Sequence, residues 1–288
     1  MSSARIQTRV FGVLRWVVIA VAALASLFPF YYMLVLSVTP IDRLLIDPGA
    51  VWIDLTRLTF DTYAEVLAPV SDGGHGFLLF MRNSGLVALA TAFVTIVVSI
   101  PAAYAVSRLH FFGRRQVSAL LLTVYLFPVF LIAVPLFVGL SMIGLGSSLV
   151  GLGIAYVAQT LPVSILMLRS FFRTMPESVE EAAFVDGATR WKLFTRITVP
   201  LAAPTILSTG LYVFMIAWNE YLFALLFLSA KPELWTVSLG LSQLSDAVEV
   251  PTTVLMAGSV IITLPIVLLY ALIERGLVDG LTSGAEKG

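Results

Sequence analysis

The chain has no cysteine. Disulfides, thiolate metal sites and a cysteine nucleophile are therefore excluded. Only two histidines are present, His75 and His110, and both lie outside the apolar runs. Charge is scarce as well: Asp, Glu, Lys and Arg make up 12% of the residues, against about 25% in soluble domains. The 17 basic residues equal the 17 acidic ones, so no basic excess points to nucleic acid, and no such partner is expected. There is no Gly-x-x-x-x-Gly-Lys-[Ser/Thr] loop and not even a Gly-Lys pair. Nucleotide phosphates, if used, have to be bound by another chain. Fixed-period repeats and low-complexity tracts are also missing, which leaves one helical membrane domain over 1–288 as the simplest organisation.

What is present is apolar length. Hydrophobic residues make up 59% of the chain and the mean hydropathy is +0.99, which marks a membrane protein. A helix crossing about 30 Å of hydrocarbon needs about 20 apolar residues, because lipid offers no partner to backbone polar groups. Six stretches qualify: 16–38, 84–107, 117–140, 149–168, 204–229 and 252–273. The expected fold is all-α and polytopic, with six transmembrane helices. The first run is long and is followed by further spans, so it reads as a retained helix. Prolines 101, 128, 135, 162 and 265 interrupt the spans and predict kinks.

An even number of spans puts both termini on one side. With the termini inside, Arg5, Arg9, Arg15, Arg108, Arg114, Arg115, Arg169, Arg173, Arg190, Lys192, Arg196, Arg275 and Lys287 are inside, against Arg43, Arg57, Arg82 and Lys231 outside. The positive-inside rule then predicts cytoplasmic termini. The longest connection, 39–83, is expected to fold locally on the outer side, with Pro48, Trp52 and the SDGGHG of 71–76 marking turns. His75 in that turn reads as a solvated loop residue.

Residues 171–203 are too long and too regular for a mere connector. Pro176 suits a first helical turn, and Glu177, Glu180 and Glu181 follow where acids favour the helix dipole. Gly187 permits a turn. A second helix, 188–198, spaces Trp191, Phe194 and Ile197 on one apolar face, ends at Pro200 and lies across the membrane surface. Ala182 and Ala183 let another backbone approach closely, and Glu181 offers it a carboxylate. That pattern fits a docking peg for a partner, and equally an amphipathic segment resting on lipid headgroups.

One charge lies within a span. Glu220 is expected inside the fifth helix, where a charge in hydrocarbon costs about 2.5–3.5 kcal/mol on insertion scales. It should therefore face protein or water. Asn219, Glu220, Tyr221 and Trp218 offer the donors, acceptors and ring faces that a sugar requires. A structural cap or interhelical bond and a proton relay are the other readings of Glu220. Gln159, the other amide in a span, reads as an interhelical hydrogen bond or a pathway group.

The string Glu181-Ala182-Ala183, Gly187, Ile197, Val199 and Pro200 resembles the EAA loop of ABC importer permease subunits, with valine in place of the usual leucine before proline. FFRTMPESVEEAAFVDGA at 171–188 is similar to the carbohydrate-importer branch, of the maltose-transporter MalG type. RNSGLVALA at 82–90, LTFDTYAEVL at 58–67 and AWNEYLFALLFLS at 217–229 resemble other parts of that family, and the likeness runs over about 12–276. It implies the type I importer permease fold, in a non-catalytic translocation subunit for sugar in a prokaryotic inner membrane. It also implies that 177–187 is a coupling helix, with Glu180, Glu181, Ala182, Ala183, Phe184, Asp186 and Gly187 docking an ATPase subunit that binds ATP and Mg. A second permease, two such cytoplasmic subunits and an extracytoplasmic sugar-binding protein would complete the assembly. A self-sufficient secondary transporter is the alternative, for which one membrane glutamate is thin support.

Overall fold

Helices follow apolar length closely at the first, second, fourth and sixth expected spans, and break at the third and fifth. The computed structural model of the chain describes residues 2–285 except 48, 50, 53, 55 and 247–249, with side chains from 11 to 273 apart from 246. Pro48 and Lys287, and the side chains of Arg5, Arg9 and Arg275, lie outside that set. Among the described residues there is no strand.

In chain order the helices are α1 (Ser2–Val38), α2 (Ile41–Ile46), α3 (Asp61–Leu67), α4 (Phe77–Arg108), α5 (Arg114–Leu126), α6 (Val129–Met142) and α7 (Leu149–Thr174). Then come α8 (Glu177–Val185), α9 (Arg190–Leu193), a π turn at Phe194–Thr198, α10 (Val199–Leu201), α11 (Ala203–Asn219), α12 (Leu222–Leu228), α13 (Val237–Asp246) and α14 (Thr252–Ala285). Four helices are long and apolar enough to span by themselves: α1 from Phe11, α4, α7, and α14 as far as Ile273. The count reaches six only when bent helix pairs are each taken as one span.

The third expected span is a pair, α5 and α6, bent by 99°. Its cause is Pro128, the N-cap of α6. Proline pushes the preceding residue out of the helical region, and Phe127 is extended at φ −74°, ψ 132°. Prolines 101, 135, 162 and 265 sit inside unbroken helices, so the expected kink at 128 is instead a break. The fifth expected span is cut at Glu220, which is extended at φ −68°, ψ 130°, and resumes as α12.

The chain divides into two compact units, one of residues 1–77 with 244–263 and the other of residues 78–243 with 264–288. In the first, the 39–76 segment folds on itself. Tyr63 and Ser37 share a hydroxyl hydrogen bond of 2.7 Å, and the Gly74 and Gly76 amides donate to Pro69 and Ala68. The Thr56 hydroxyl and amide and the Arg43 guanidinium hold the Asp54 carboxyl down to about 2. That carboxylate keeps its charge, and its 2.6 Å contact with Arg43, until the pH falls well below the ordinary carboxylate range.

The second unit is built around α7, which packs against α5, α6, α11 and α12 and is the most buried of the long helices. At one end of α7 a core of Ala103, Tyr104, Ile165, Leu168, Phe172, Met175 and Ala202 is sealed by Phe194. Tyr104 meets Phe172 edge-on and Phe194 at 5.0 Å. Against this core the residues expected to share one apolar face of the 190–201 helix differ in burial. Leu193 is fully buried, Phe194 and Ile197 are half-buried, and Trp191 is 73% exposed. Nor does Pro200 end the helix, which continues to Leu201 and bends by 69° into α11. Proline cannot donate to the carbonyl four residues back, and the ladder widens before it, the Val199 amide donating to Phe194.

Candidate functional site

Two groups of residues stand out, the 176–188 turn-and-helix and the break at 219–221. Pro176 precedes α8 and Glu177 and Glu180 occupy its first turn, where acids meet the unpaired amides. Its end is a Schellman closure: the Ala188 amide donates to Ala183 and the Gly187 amide to Phe184. That closure needs a left-handed residue, and Gly187 has φ +76°.

The adjacent acids Glu180 and Glu181 face different ways. Glu180 turns inward, its Oε1 3.3 Å from Arg108 Nε, with both side chains largely buried. Ala183 is buried too, at 5% exposure. Glu181, Ala182, Phe184, Asp186 and Gly187 are exposed. Val185, which sequence reasoning passed over, is the most open apolar residue of the helix at 88%. The outward surface thus combines the exposed carboxylates of Glu181 and Asp186, the small side chain of Ala182 and two apolar side chains.

At the second site the side chain of Glu220 explains the break. Both carboxylate oxygens accept from the Phe223 amide at 3.0 Å, and one accepts from Ala224 at 3.3 Å. Glu220 therefore caps α12 with its own carboxylate. Its carbonyl, freed from any helix, accepts from Ser238 at 2.6 Å and makes a long contact of 3.5 Å with the Tyr156 hydroxyl. Asn219 and Tyr221 on either side are exposed, although the Asn219 amide already donates to Met215 at 2.9 Å. Trp218 does not join them: it is 3% exposed and stacks on Phe214. Gln159 lies one turn from Tyr156 on α7, half-buried, and its Oε1 has no hydrogen-bond partner among the described residues.

Replacing Glu220 by alanine removes every one of these capping bonds. It should lower the thermal stability of the purified protein in detergent by about 1–2 kcal/mol, whereas Glu220→Gln, which keeps an acceptor oxygen, should lose less. Unchanged stability in Glu220→Ala would show that the cap contributes nothing.

Sequence reasoning missed three further residues here. Arg108 counted only as a positive charge, yet its guanidinium also donates to the Met175 carbonyl. Asn83 and Ser84, noted only as part of a family string, bind the 233–237 segment: Asn83 Nδ2 donates to the carbonyls of Glu233 and Trp235 at 3.1 Å each, and Ser84 Oγ accepts from the Val237 amide at 2.9 Å. Position 240, in α13, needs glycine, since a Cβ there would lie 2.5 Å from the buried ring of Phe80.

The chain is similar to known proteins along most of its length. Residues 95–279 match the family described as the inner membrane component of binding-protein-dependent transport systems. An inner membrane ABC transporter permease, YcjP of Escherichia coli, is 38% identical over 94% of each chain. The trehalose/maltose transport system permease MalG of Thermococcus litoralis is 37% identical over 92% of this chain and 93% of its own. A chain from the crystal structure of a bacterial ABC transporter involved in alginate import superposes with a TM-score of 0.77 at 21% identity, covering 93% of this chain and 97% of the other. Family match, identity and fold agree: the chain belongs to the inner-membrane permease subunits of binding-protein-dependent ABC transporters.

Proposed function

We propose that the whole chain acts as one transmembrane translocation domain of a carbohydrate importer, driven by ATP that separate subunits hydrolyse. The observation that carries this reading is the division of α8 into two faces. Glu180 and Ala183 bind it to its own chain, while Glu181, Ala182, Phe184 and Val185 are left open. A helix held so firmly from behind transmits a push on its front as a rigid body. The occupant of the front is a cytoplasmic ATP-binding subunit carrying ATP and Mg, with a cation set against Glu181. A second permease completes the pathway as a heterodimer, two ATP-binding subunits complete the motor, and an extracytoplasmic sugar-binding protein delivers substrate. The side bearing α8 is cytoplasmic, as are both termini. Relatives named for trehalose and maltose transport support carbohydrate as the cargo, and Asn219, Glu220, Tyr221 and Gln159 are the groups proposed to line its path.

Reconstitution with the companion subunits tests the proposal. Uptake from a panel of labelled disaccharides that includes trehalose and maltose should require ATP and ignore a proton uncoupler at constant ATP. Uptake abolished by the uncoupler would favour the secondary transporter. Orientation is read separately in the cysteine-free background. Cysteine at exposed Ser71 should label with an impermeant thiol reagent in intact cells, and at exposed Arg115 only after permeabilisation; the reverse pattern would invert the topology.

A further inference from the structure

The contacts of α4 form a continuous connection between the two sites. At one end Arg108, the last residue of α4, holds two parts of the α7–α8 junction at once. Its Nη2 donates to the carbonyl of Met175, the residue at the turn, and its Nε lies 3.3 Å from Glu180 in the first turn of α8. The two side chains are only 10% and 17% exposed, so water competes weakly for either. The same helix end is stiffened by Arg114, whose Nε and Nη2 donate to the carbonyls of Val106 and Ser107 at 2.7 and 2.6 Å.

From there α4 runs 32 residues without interruption, about 48 Å at 1.5 Å per residue, and Pro101 does not break it. Near its other end Asn83 and Ser84 grip the backbone of 233–237 through three hydrogen bonds. One residue further on, Ser238 donates to the Glu220 carbonyl. Every link is a hydrogen bond, an ion pair or a helix, and each helix moves nearly as a rigid body over this length.

We infer that α4 is the rod that carries movement of α8 to the break at Glu220, with Arg108 as its positioning residue at one end and Asn83 with Ser84 at the other. The inference rests on the proposed docking of an ATP-hydrolysing subunit at α8 and adds the route. Contact through Pro200 and α11 reaches the same span by its near end only. The α4 route reaches the break itself through Ser238, from the segment that follows α12, so α12 and the 233–238 segment move with α8 and not merely after it.

The test uses the assembled importer in liposomes, with cysteine at exposed Ser229, which closes α12, as reporter and an impermeant maleimide as probe. Labelling rates are compared between the nucleotide-free state and the state trapped with ATP and vanadate. The reporter protein alone should change its rate by about tenfold, the range common for coupling between sites. In Arg108→Gln the change should fall below about twofold while the ATP-hydrolysing subunit co-purifies at the parental level. Arg108→Lys should recover part of the response, because an ammonium satisfies one of the two acceptors but lacks the guanidinium fork. Arg115→Gln, which alters an exposed neighbouring arginine, should leave the response intact.

An undiminished response in Arg108→Gln with the partner still bound would overturn the rod. If Arg108→Gln does not accumulate in the membrane, Asn83→Ala carries the same test from the opposite end: a lost response supports the rod and a full one overturns it. A parental reporter with no nucleotide response would instead contradict the proposed ATP-driven function on which the inference rests.

Discussion

Glu181→Lys is expected to release the ATP-hydrolysing subunit while the permease itself stays in the membrane at its normal level. The side chain is exposed and, among the described residues, makes no hydrogen bond or ion pair that α8 needs, so the fold has no reason to notice the change. The partner does: a cation would then face the cation proposed to receive Glu181. Disrupting a close interfacial charge pair costs about 2–5 kcal/mol, which lowers affinity by about thirtyfold or more. Co-purification of the ATP-hydrolysing subunit and ATP-driven uptake should both collapse. Glu180→Lys gives a different phenotype, since it sets a cation against the buried Arg108 guanidinium and should lower the amount of folded permease first. Equal behaviour of the two variants would mean that the two faces of α8 are not distinct.

Gly187→Val should have the second largest effect, through the backbone and not through contacts. A Cβ at 187 meets nothing within 4 Å, so there is no clash to relieve. The cost comes from φ +76°, a region that disfavours L-residues by about 1–2 kcal/mol, and β-branched ones most. Two backbone hydrogen bonds close the helix at this point, and the strained variant should open them and fray the turn carrying Phe184 and Val185. Uptake should fall about tenfold, with the ATP-hydrolysing subunit retained more weakly than in the parent. Gly187→Asn, which tolerates the left-handed region better, should fall between parent and valine. Identical values for asparagine and valine would show that the turn is not what the position supplies.

Much of this architecture could be read from the chain, because lipid makes long apolar runs unambiguous and Gly187 announces its own conformation. What was hidden depended on residues distant in sequence. Glu180 and Glu181 are identical neighbours, and only Arg108, 72 positions earlier, decides which of them turns inward. Proline gave the wrong weight at 128, where the chain breaks, compared with 101 and 162, where packing keeps the helix whole. Glu220 looked like a charge within a helix because capping of Phe223 and Ala224 by a side chain three and four residues earlier leaves no apolar signature. Trp218 looked like a sugar platform until its ring was found stacked on Phe214.

The most direct test of the central claim is a cysteine crosslink from α8 to the ATP-hydrolysing subunit in native membranes, using a thiol-to-amine reagent. The permease has no other cysteine to react. Ala182→Cys and Phe184→Cys, on the open face, should each give a product containing the ATP-hydrolysing subunit, and Ala183→Cys, 5% exposed and turned inward, should give little. Absence of that product from positions 182 and 184, or its equal formation from 183, would contradict the account.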